Sequence, residues 1–365
     1  RPGVAYQARQ LGLAFNAVLG VIMSLFLSLG AGIILSGVGV ADALMQPAKT
    51  YLQIVGGFCI LNALIPICSS YLRAFGFSKE PLYASIIGNV INFCLNAFFL
   101  FVLHKGVAGV ATATVISRII NLVIVVLLGA VLVKAKQHPE RESNRAVMGQ
   151  IIRIGLPSAC ETAIYNVSMT LVIRFLNQMD AQGLNVTARS YTMQITNFSY
   201  CVGAALAQAN AIMTGWHIGA KEYDACDRGT KKAAVIGVIV AVILETVFTL
   251  CSGWIMQLFS KDPQMVSLVG KLLAIDIVLE IGRVTNLVYG QALKTSGDAV
   301  FPVVMGACFM ILCSVGGTYL FGIRLGLLAV GAYIGMTGDE CVRAVGMYLR
   351  WKSGKWKEKG LVKSR

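Results

Sequence analysis

Residues 106–133 read GVAGVATATVISRIINLVIVVLLGAVLV, and the only charged side chain among them is Arg118. About 20 consecutive apolar residues suffice for a helix to cross the hydrocarbon core of a bilayer, so 107–133 reads as a membrane-spanning helix. It is one of ten. Similar runs occupy about 11–36, 50–72, 82–103, 149–177, 187–214, 233–258, 264–292, 299–321 and 325–349. The composition of the 365-residue chain agrees, with 56% hydrophobic and 13% charged residues and a mean hydropathy of +0.72. A soluble chain carries about 25% charged residues. Disorder and collagen-like repetition are excluded by the same figures, and a membrane β-barrel would show alternating segments of about ten residues instead. The sequence therefore predicts an all-α, polytopic membrane protein.

Net charge is +14, but its placement argues against nucleic acid. Lys and Arg collect in short segments between apolar runs, and no basic groove interleaved with aromatics appears. The ten Cys are scattered, mostly inside the apolar runs, and form no CxxC pair, so neither a disulfide framework nor a metal site is expected. Counted on alternate sides of the spans, one side holds Arg1, Arg9, Arg73, Lys79, the 134–153 linker, the 218–232 loop, Lys294 and the tail from Arg350. The other side holds only Lys49, Lys105, Arg189, Lys261 and Arg324. By the positive-inside rule, the first side and both ends of the chain are cytoplasmic, in a multi-pass protein of the cell membrane.

The halves of the sequence repeat one another. Ala5-Tyr6-Gln7-Ala8 matches Glu222-Tyr223-Asp224-Ala225. Leu72-Arg73-Ala74-Phe75-Gly76 with Pro81 matches Leu293-Lys294-Thr295-Ser296-Gly297 with Pro302, and Gly106–Val110 matches Gly326–Val330. Matched segments face the same side, the mark of a parallel repeat. The expected organisation is an N-terminal lobe over 1–135, a basic linker over 136–148, a six-span C-terminal lobe over 149–349 and a basic tail over 350–365. Spans 149–177 and 187–214 have no counterpart ahead of Ala5. The N-terminal lobe is thus expected to lack two helices, giving 4 + 6 spans of an expected 6 + 6; a natural 4 + 6 arrangement is the alternative.

Such repeats with these turn motifs resemble the MATE (multidrug and toxic compound extrusion) family. The segments that carry the likeness are Gly155-Leu156-Pro157-Ser158-Ala159-Cys160-Glu161, Gly215-Trp216-His217-Ile218-Gly219-Ala220-Lys221, Arg73-Ala74-Phe75-Gly76, Lys294-Thr295-Ser296-Gly297-Asp298 and the run at 106–114. The resemblance implies two lobes enclosing a V-shaped cleft, and export of organic compounds in exchange for Na⁺ or H⁺. Two departures stand out. Members place an acidic group in the first N-lobe helix, which is absent here, and many carry Asp where this chain has Asn96. In the C-lobe, members with a cation site carry Glu at a position that falls, by spacing from Pro157, at Tyr165, with Glu161 one turn earlier on the same face.

An ionisable side chain at mid-membrane costs ~2.5–3.5 kcal/mol on insertion scales, so each needs a partner or a role. Asp276, Glu280 and Arg283 lie at i, i+4 and i+7 on one helical stripe, with Asn286 below. Asp339 and Arg343 form an i, i+4 pair beside Glu340, read as a structural charge pair. Glu161, Tyr165 and Asn166 form a third cluster, and Asn89, Asn92 and Asn96 share a face of the third span. The candidate cation- and substrate-binding residues are Glu161, Tyr165, Asn166, Asp276, Glu280, Arg283, Asn92 and Asn96. Carboxylate oxygens suit Na⁺, and a carboxyl group withdrawn from water can hold a proton near neutral pH. The opposing reading makes the charged residues helix-to-helix ties and the asparagines interhelical glue. Glu161 has no cation within one turn. Glu245 lies mid-span with no evident partner. Arg350, Trp351, Lys352, Lys355 and Trp356 read as an interfacial anchor to anionic lipid.

The expected function is a secondary active efflux antiporter, acting as a monomer on a small organic substrate, with the lipid bilayer as its surroundings. It needs no cofactor beyond Na⁺ or H⁺ as coupling ion and no metal beyond possible Na⁺. One alternative is a lipid-linked precursor flippase, which would prefer a cationic cavity with Arg118, Arg283 and Arg343 turned inward. Another is a chain inactive in transport for want of two helices. An enzyme is not expected: no HExxH, paired His ligands or Ser elbow occurs, and His104, His138 and His217 fall in loops.

Overall fold

The structure, a computed structural model, describes residues 2–38, 42–133, 140–179 and 183–358. Arg1, Lys134, Lys136 and His138 of the basic stretches, and Lys359, Lys363 and Arg365 of the tail, lie outside the described residues. What is described is helical, and its helices assemble into ten rods. The first is α1 (Pro2–Leu29) with the short α2 (Ala31–Val38). The second is α3 (Asp42–Gly57) with α4 (Ile60–Ala74). The third is α5 (Lys79–Ala97), continued as a π-helical turn over Phe98–Val102, and the fourth is α6 (Gly106–Leu132). There follow α7 (Asn144–Met179), α8 (Leu184–Gly219), α9 (Tyr223–Leu250) with the short α10 (Ser252–Met256), and α11 (Pro263–Thr295). The last two are α12 (Val300–Phe309), carried on through π-helical turns to Arg324, and α13 (Leu328–Lys352).

Five rods are long and apolar enough to cross a membrane: Pro2–Leu29, Lys79–Val102, Gly106–Leu132, Tyr223–Leu250 and Val300–Arg324. The pair Met45–Gly57 and Ile60–Ala74, bent by 42°, makes a sixth. Their outward faces carry Val18, Ile22, Phe93, Phe101, Val131, Ile239 and Leu312, all exposed. A water-soluble fold would bury such a surface; a lipid-facing one presents it. The other four rods, α7, α8, α11 and α13, are equally long but carry the charged and polar side chains.

By contacts the chain divides into two units, Arg1–Ile151 and Ile152–Arg365, the division falling inside α7. In the first unit, Cys68, Tyr71, Leu72, Ala84 and Val125 form the buried core. Gln7 on α1 clasps the chain ahead of α7, donating to the Glu142 carbonyl (2.7 Å) and accepting from the Glu142 amide (3.1 Å). In the second unit α11 is central, packed against α8, α9 and α13. It starts at Pro263, where the Asp262 carboxylate caps the Gln264 amide at 3.0 Å, satisfying one of the donors a helix start leaves free. Its buried Val269, Leu272, Leu273 and Leu279 meet Tyr333 and Met336 of α13.

The repeated turns share one conformation. Gly76 (φ +88°) and Gly297 (φ +92°) both adopt the left-handed backbone that glycine alone enters without a steric cost. Each donates to the carbonyl three residues back, Arg73 at 3.0 Å and Lys294 at 3.1 Å, and the next residue bonds Leu72 or Leu293. Helix ends depart from the apolar runs where a helix continues beyond them: α9 begins at Tyr223 instead of 233, because Tyr223–Lys232 makes up nearly three polar turns that hydropathy does not register. The tail is a clearer correction. Trp351 and Trp356 are each 1% exposed and stack on one another at 4.1 Å and 8°. The Trp351 indole donates to Asp227 on α9 at 2.9 Å, and Arg350 holds Asp298 at 2.6 Å. Arg350, Trp351 and Trp356 thus pack onto the second unit and are not free to sit in a lipid headgroup layer, whereas Lys352 and Lys355 of the same anchor reading are exposed.

Candidate functional site

The side chains that α7, α8, α11, α12 and α13 turn inward line a cavity of about 700 Å³ in the second unit. Its wall carries four carboxylates, Glu161, Asp276, Asp339 and Glu340, and four cations, Arg189, Arg283, Lys294 and Arg343. Three of the cations are paired. Arg343 grips Asp339 through Nε and Nη2 at 2.8 and 2.9 Å and reaches Glu340 at 3.0 Å. Ser314 donates to Asp339 at 3.0 Å, and Asn286 donates to Glu340 at 3.0 Å. Arg283 donates to Glu280 at 2.5 Å and lies 3.7 Å from Glu340. Lys294 meets Glu161 at 2.5 Å. The cavity is therefore close to electroneutral, with its charge fixed in a network joining α7, α11 and α13.

The i, i+4 pair Asp339–Arg343 forms as the sequence predicted, yet it also faces the cavity. Glu161 has no cation within one turn of its own helix, but α11 brings it one: that helix runs to Thr295 and sets Lys294 against Glu161. Tyr165 and Asn166 are on the cavity wall beside Glu161, and Asn166 donates to the Thr162 carbonyl at 2.8 Å. Asn92 and Asn96 belong to the first unit, where Asn92 donates to Ser117 of α6 at 3.3 Å and Asn96 donates to Asn92 at 3.1 Å. That chain ties α5 to α6, in line with the reading of interhelical glue.

Behind the cavity wall, the structure supplies the company that the sequence could not find for Glu245. Glu245 on α9, with Asp276 and Glu280 on α11, brings carboxylate oxygens within 4.8 Å of one another. All three are buried, at 0%, 2% and 0% exposure respectively. Both oxygens of Glu245, Oδ2 of Asp276 and Oε2 of Glu280 lack a hydrogen-bond partner among the described residues, as does the buried Ser199 hydroxyl on α8. Close carboxylates held out of water repel strongly, and among the described residues Arg283 is the guanidinium paired to the group, through Glu280. The donor set of hard oxygens suits a small cation or a shared proton. Asp276, alone of the three, also lines the cavity. A lone mid-span acid was the only signal in the sequence; its partners lie more than thirty residues on. Arg189 was counted among the basic residues outside the membrane, at the start of the run 187–214; α8 begins earlier, at Leu184, and carries it onto the cavity wall.

Comparisons with known proteins agree with this architecture. A model of the MatE family matches residues 1–98 and 157–320. The chain is 32% identical over 364 residues to the uncharacterized transporter YisQ of Bacillus subtilis (strain 168), covering 98% of this chain and 80% of that protein. It is 22% identical to the probable multidrug resistance protein NorM of Thermotoga maritima, over 96% of this chain and 77% of that one. Among solved structures, the eukaryotic MATE transporter AtDTX14 superposes with a TM-score of 0.86 at 18% identity, over 98% of this chain and 82% of that chain. With ten helical rods, repeated turns and a family match over most of its length, this chain belongs to the MATE family of multi-pass membrane transporters.

Proposed function

We propose that this chain is a secondary active efflux antiporter. It exports an organic compound held in the cavity of the second unit, in exchange for Na⁺ or H⁺ taken by Glu245, Asp276 and Glu280. The observation that carries the reading is the buried carboxylate triad, one member of which forms part of the cavity wall. Antiport requires that the occupancy of one ligand be felt by the other. Asp276 supplies that link: a positive charge entering the triad changes the field at the cavity through a shared side chain. Tyr165, Asn166 and Glu161 contribute to the substrate wall. The relatives named for multidrug resistance support organic compounds as the substrate class. With Lys294 and Arg189 set aside as cavity residues, the 20 basic residues on one side of the spans against 4 on the other support a cell-membrane protein with both termini cytoplasmic. We read it as a monomeric transporter in a lipid bilayer, with no enzymatic step.

The flippase alternative called for a cationic cavity. Arg283 and Arg343 do line the cavity, but each is neutralised by carboxylates 2.5–3.0 Å away, and Arg118 lies in the other unit. The balance favours the exporter. Proteoliposomes with imposed Na⁺ or pH gradients test it. Wild type accelerates substrate efflux with one gradient and not the other, and Glu245→Gln abolishes the acceleration while still binding substrate. Gradient-driven flux equal in Glu245→Gln and wild type refutes the triad as the coupling site.

A further inference from the structure

We propose that Arg189 is an anion-binding subsite of the cavity, and that the transported compound carries a carboxylate or similar monoanionic group on an apolar body. The inference rests on the reading of this cavity as the transport site and names the class of compound it takes.

Three of the cavity's four cations are neutralised by carboxylates at 2.5–3.0 Å. Arg189 is the exception. It is 6% exposed and lies on the cavity wall. Its one hydrogen bond is to the Met169 sulfur at 3.7 Å, and its Nε has no partner among the described residues. A thioether is a weak acceptor and does nothing for a full positive charge. A guanidinium withdrawn from water without a counter-charge is costly, and an anion arriving in the cavity removes that cost. Arginine is suited to the task, because its planar fork matches the two oxygens of a carboxylate.

The surroundings of Arg189 describe the rest of the ligand. Met169, Met193, Met310, Met336 and Met347 line the cavity with it. Methionine is unbranched and polarisable and adapts to differently shaped apolar or aromatic bodies. Thr196 and Tyr333 add polar edges to the same wall. An adaptable apolar surface beside one unpaired guanidinium fits an amphiphilic organic acid or zwitterion; it does not fit a simple lipophilic cation, for which Arg189 would be a repulsive neighbour.

The test uses a matched pair of fluorescent probes, dansylglycine and its methyl ester, which differ by a single negative charge. Binding is measured at equilibrium with the purified full chain in nanodiscs and without ion gradients, so failure of ion coupling leaves the measurement intact. Wild type is expected to bind the acid at least about tenfold more tightly than the ester, a difference of about 1.4 kcal/mol. Arg189→Gln is expected to bind both with the affinity of the ester, and Arg189→Lys to keep part of the preference. If Arg189→Gln does not fold, loss of part of the preference in Arg189→Lys, with ester binding unchanged, supports the proposal. It is overturned if wild type shows no preference, if the preference survives in Arg189→Gln, or if the variants weaken acid and ester equally, as a purely structural arginine would require. The two sources of an anion are separated by disc lipid. Equal acid binding in phosphatidylcholine and phosphatidylglycerol discs supports a soluble ligand. Loss of acid binding in phosphatidylglycerol discs, for wild type alone, assigns Arg189 to a lipid headgroup and overturns the transported-substrate proposal.

Discussion

Arg283 is the counter-charge on which the second unit's acidic interior depends, and a double-mutant cycle measures that dependence. The guanidinium lies 2.5 Å from Glu280 and 3.7 Å from Glu340, so it ties two residues within α11 and joins α11 to α13. Unit charges about 4 Å apart attract by ~4 kcal/mol at the effective dielectric suited to such sites. Removing one member of a buried pair costs ~3–5 kcal/mol. The Arg283 side chain is 24% exposed, and solvent screening moves the expected value to the lower end, about 3 kcal/mol for Arg283→Met. For a unit of this size that lowers the thermal midpoint by roughly 6–12 °C. Glu280→Gln costs less, because Arg283 retains Glu340 and the triad loses a repulsive charge. The double variant also loses the tie of Arg283 to Glu340 and is expected to cost about 1 kcal/mol more than Glu280→Gln alone, which leaves a coupling energy of about 2 kcal/mol. Thermal unfolding of the four proteins in one detergent measures it. Losses that add to within ~0.5 kcal/mol show that the two groups do not act on one another, and the account of the charge network then fails.

Other parts of the structure make separate predictions. Trp351→Ala empties a fully buried site and is expected to cost about 3–5 kcal/mol in thermal unfolding; a loss that appears only in anionic lipid would restore the lipid-anchor reading of the tail. A Cβ at Gly331 on α13 would sit 2.4–2.5 Å from backbone atoms of Phe321 and Gly322, so Gly331→Ala is expected to cost about 1–3 kcal/mol by overpacking. Unchanged stability would mean that the π-helical segment yields freely. Asn96→Ala should reduce stability by less than about 1 kcal/mol, the range of interhelical hydrogen bonds in membranes, and leave gradient-driven flux intact. A loss of ion coupling in that variant would move a cation ligand back into the first unit.

The rods were readable because a hydrocarbon solvent imposes one rule on the whole chain. An apolar run long enough to span has to satisfy its backbone internally, and a helix does so within the segment. Ten runs became ten rods, and the turn at Gly76 recurs at Gly297 because the sequence around it recurs. Two kinds of detail escaped. Hydropathy ends where polar residues begin, but the helix does not, so Tyr223–Lys232 and the last turn of α11 were read as loops and Lys294 was put out of reach of Glu161. The bend between α3 and α4 follows Gly56-Gly57, a weak signal inside an otherwise apolar run. Tertiary partners were the larger gap. Glu280 and Arg283 meet within one helix and can be predicted from spacing, whereas Glu245 meets Asp276 only because α9 packs on α11, and no local pattern encodes that packing.

Charge bookkeeping then separates residues that hold the second unit together from those left to act on something else. Asp339, Arg343, Glu340, Arg283, Lys294 and Glu161 neutralise one another across α7, α11 and α13. In a medium that penalises lone charges this makes them structural first, whatever else they touch. Glu245 and one oxygen each of Asp276 and Glu280 remain unsatisfied on the acidic side, and Arg189 on the basic side. Arg189 could have been closed into a pair with one of these acids, but α8 holds it over the cavity while α9 and α11 hold the triad behind its wall. A fold selected only for stability gains nothing from keeping such opposite charges apart. A transporter does, because each unsatisfied group is a place where a mobile charge is worth more to the protein than it is in water.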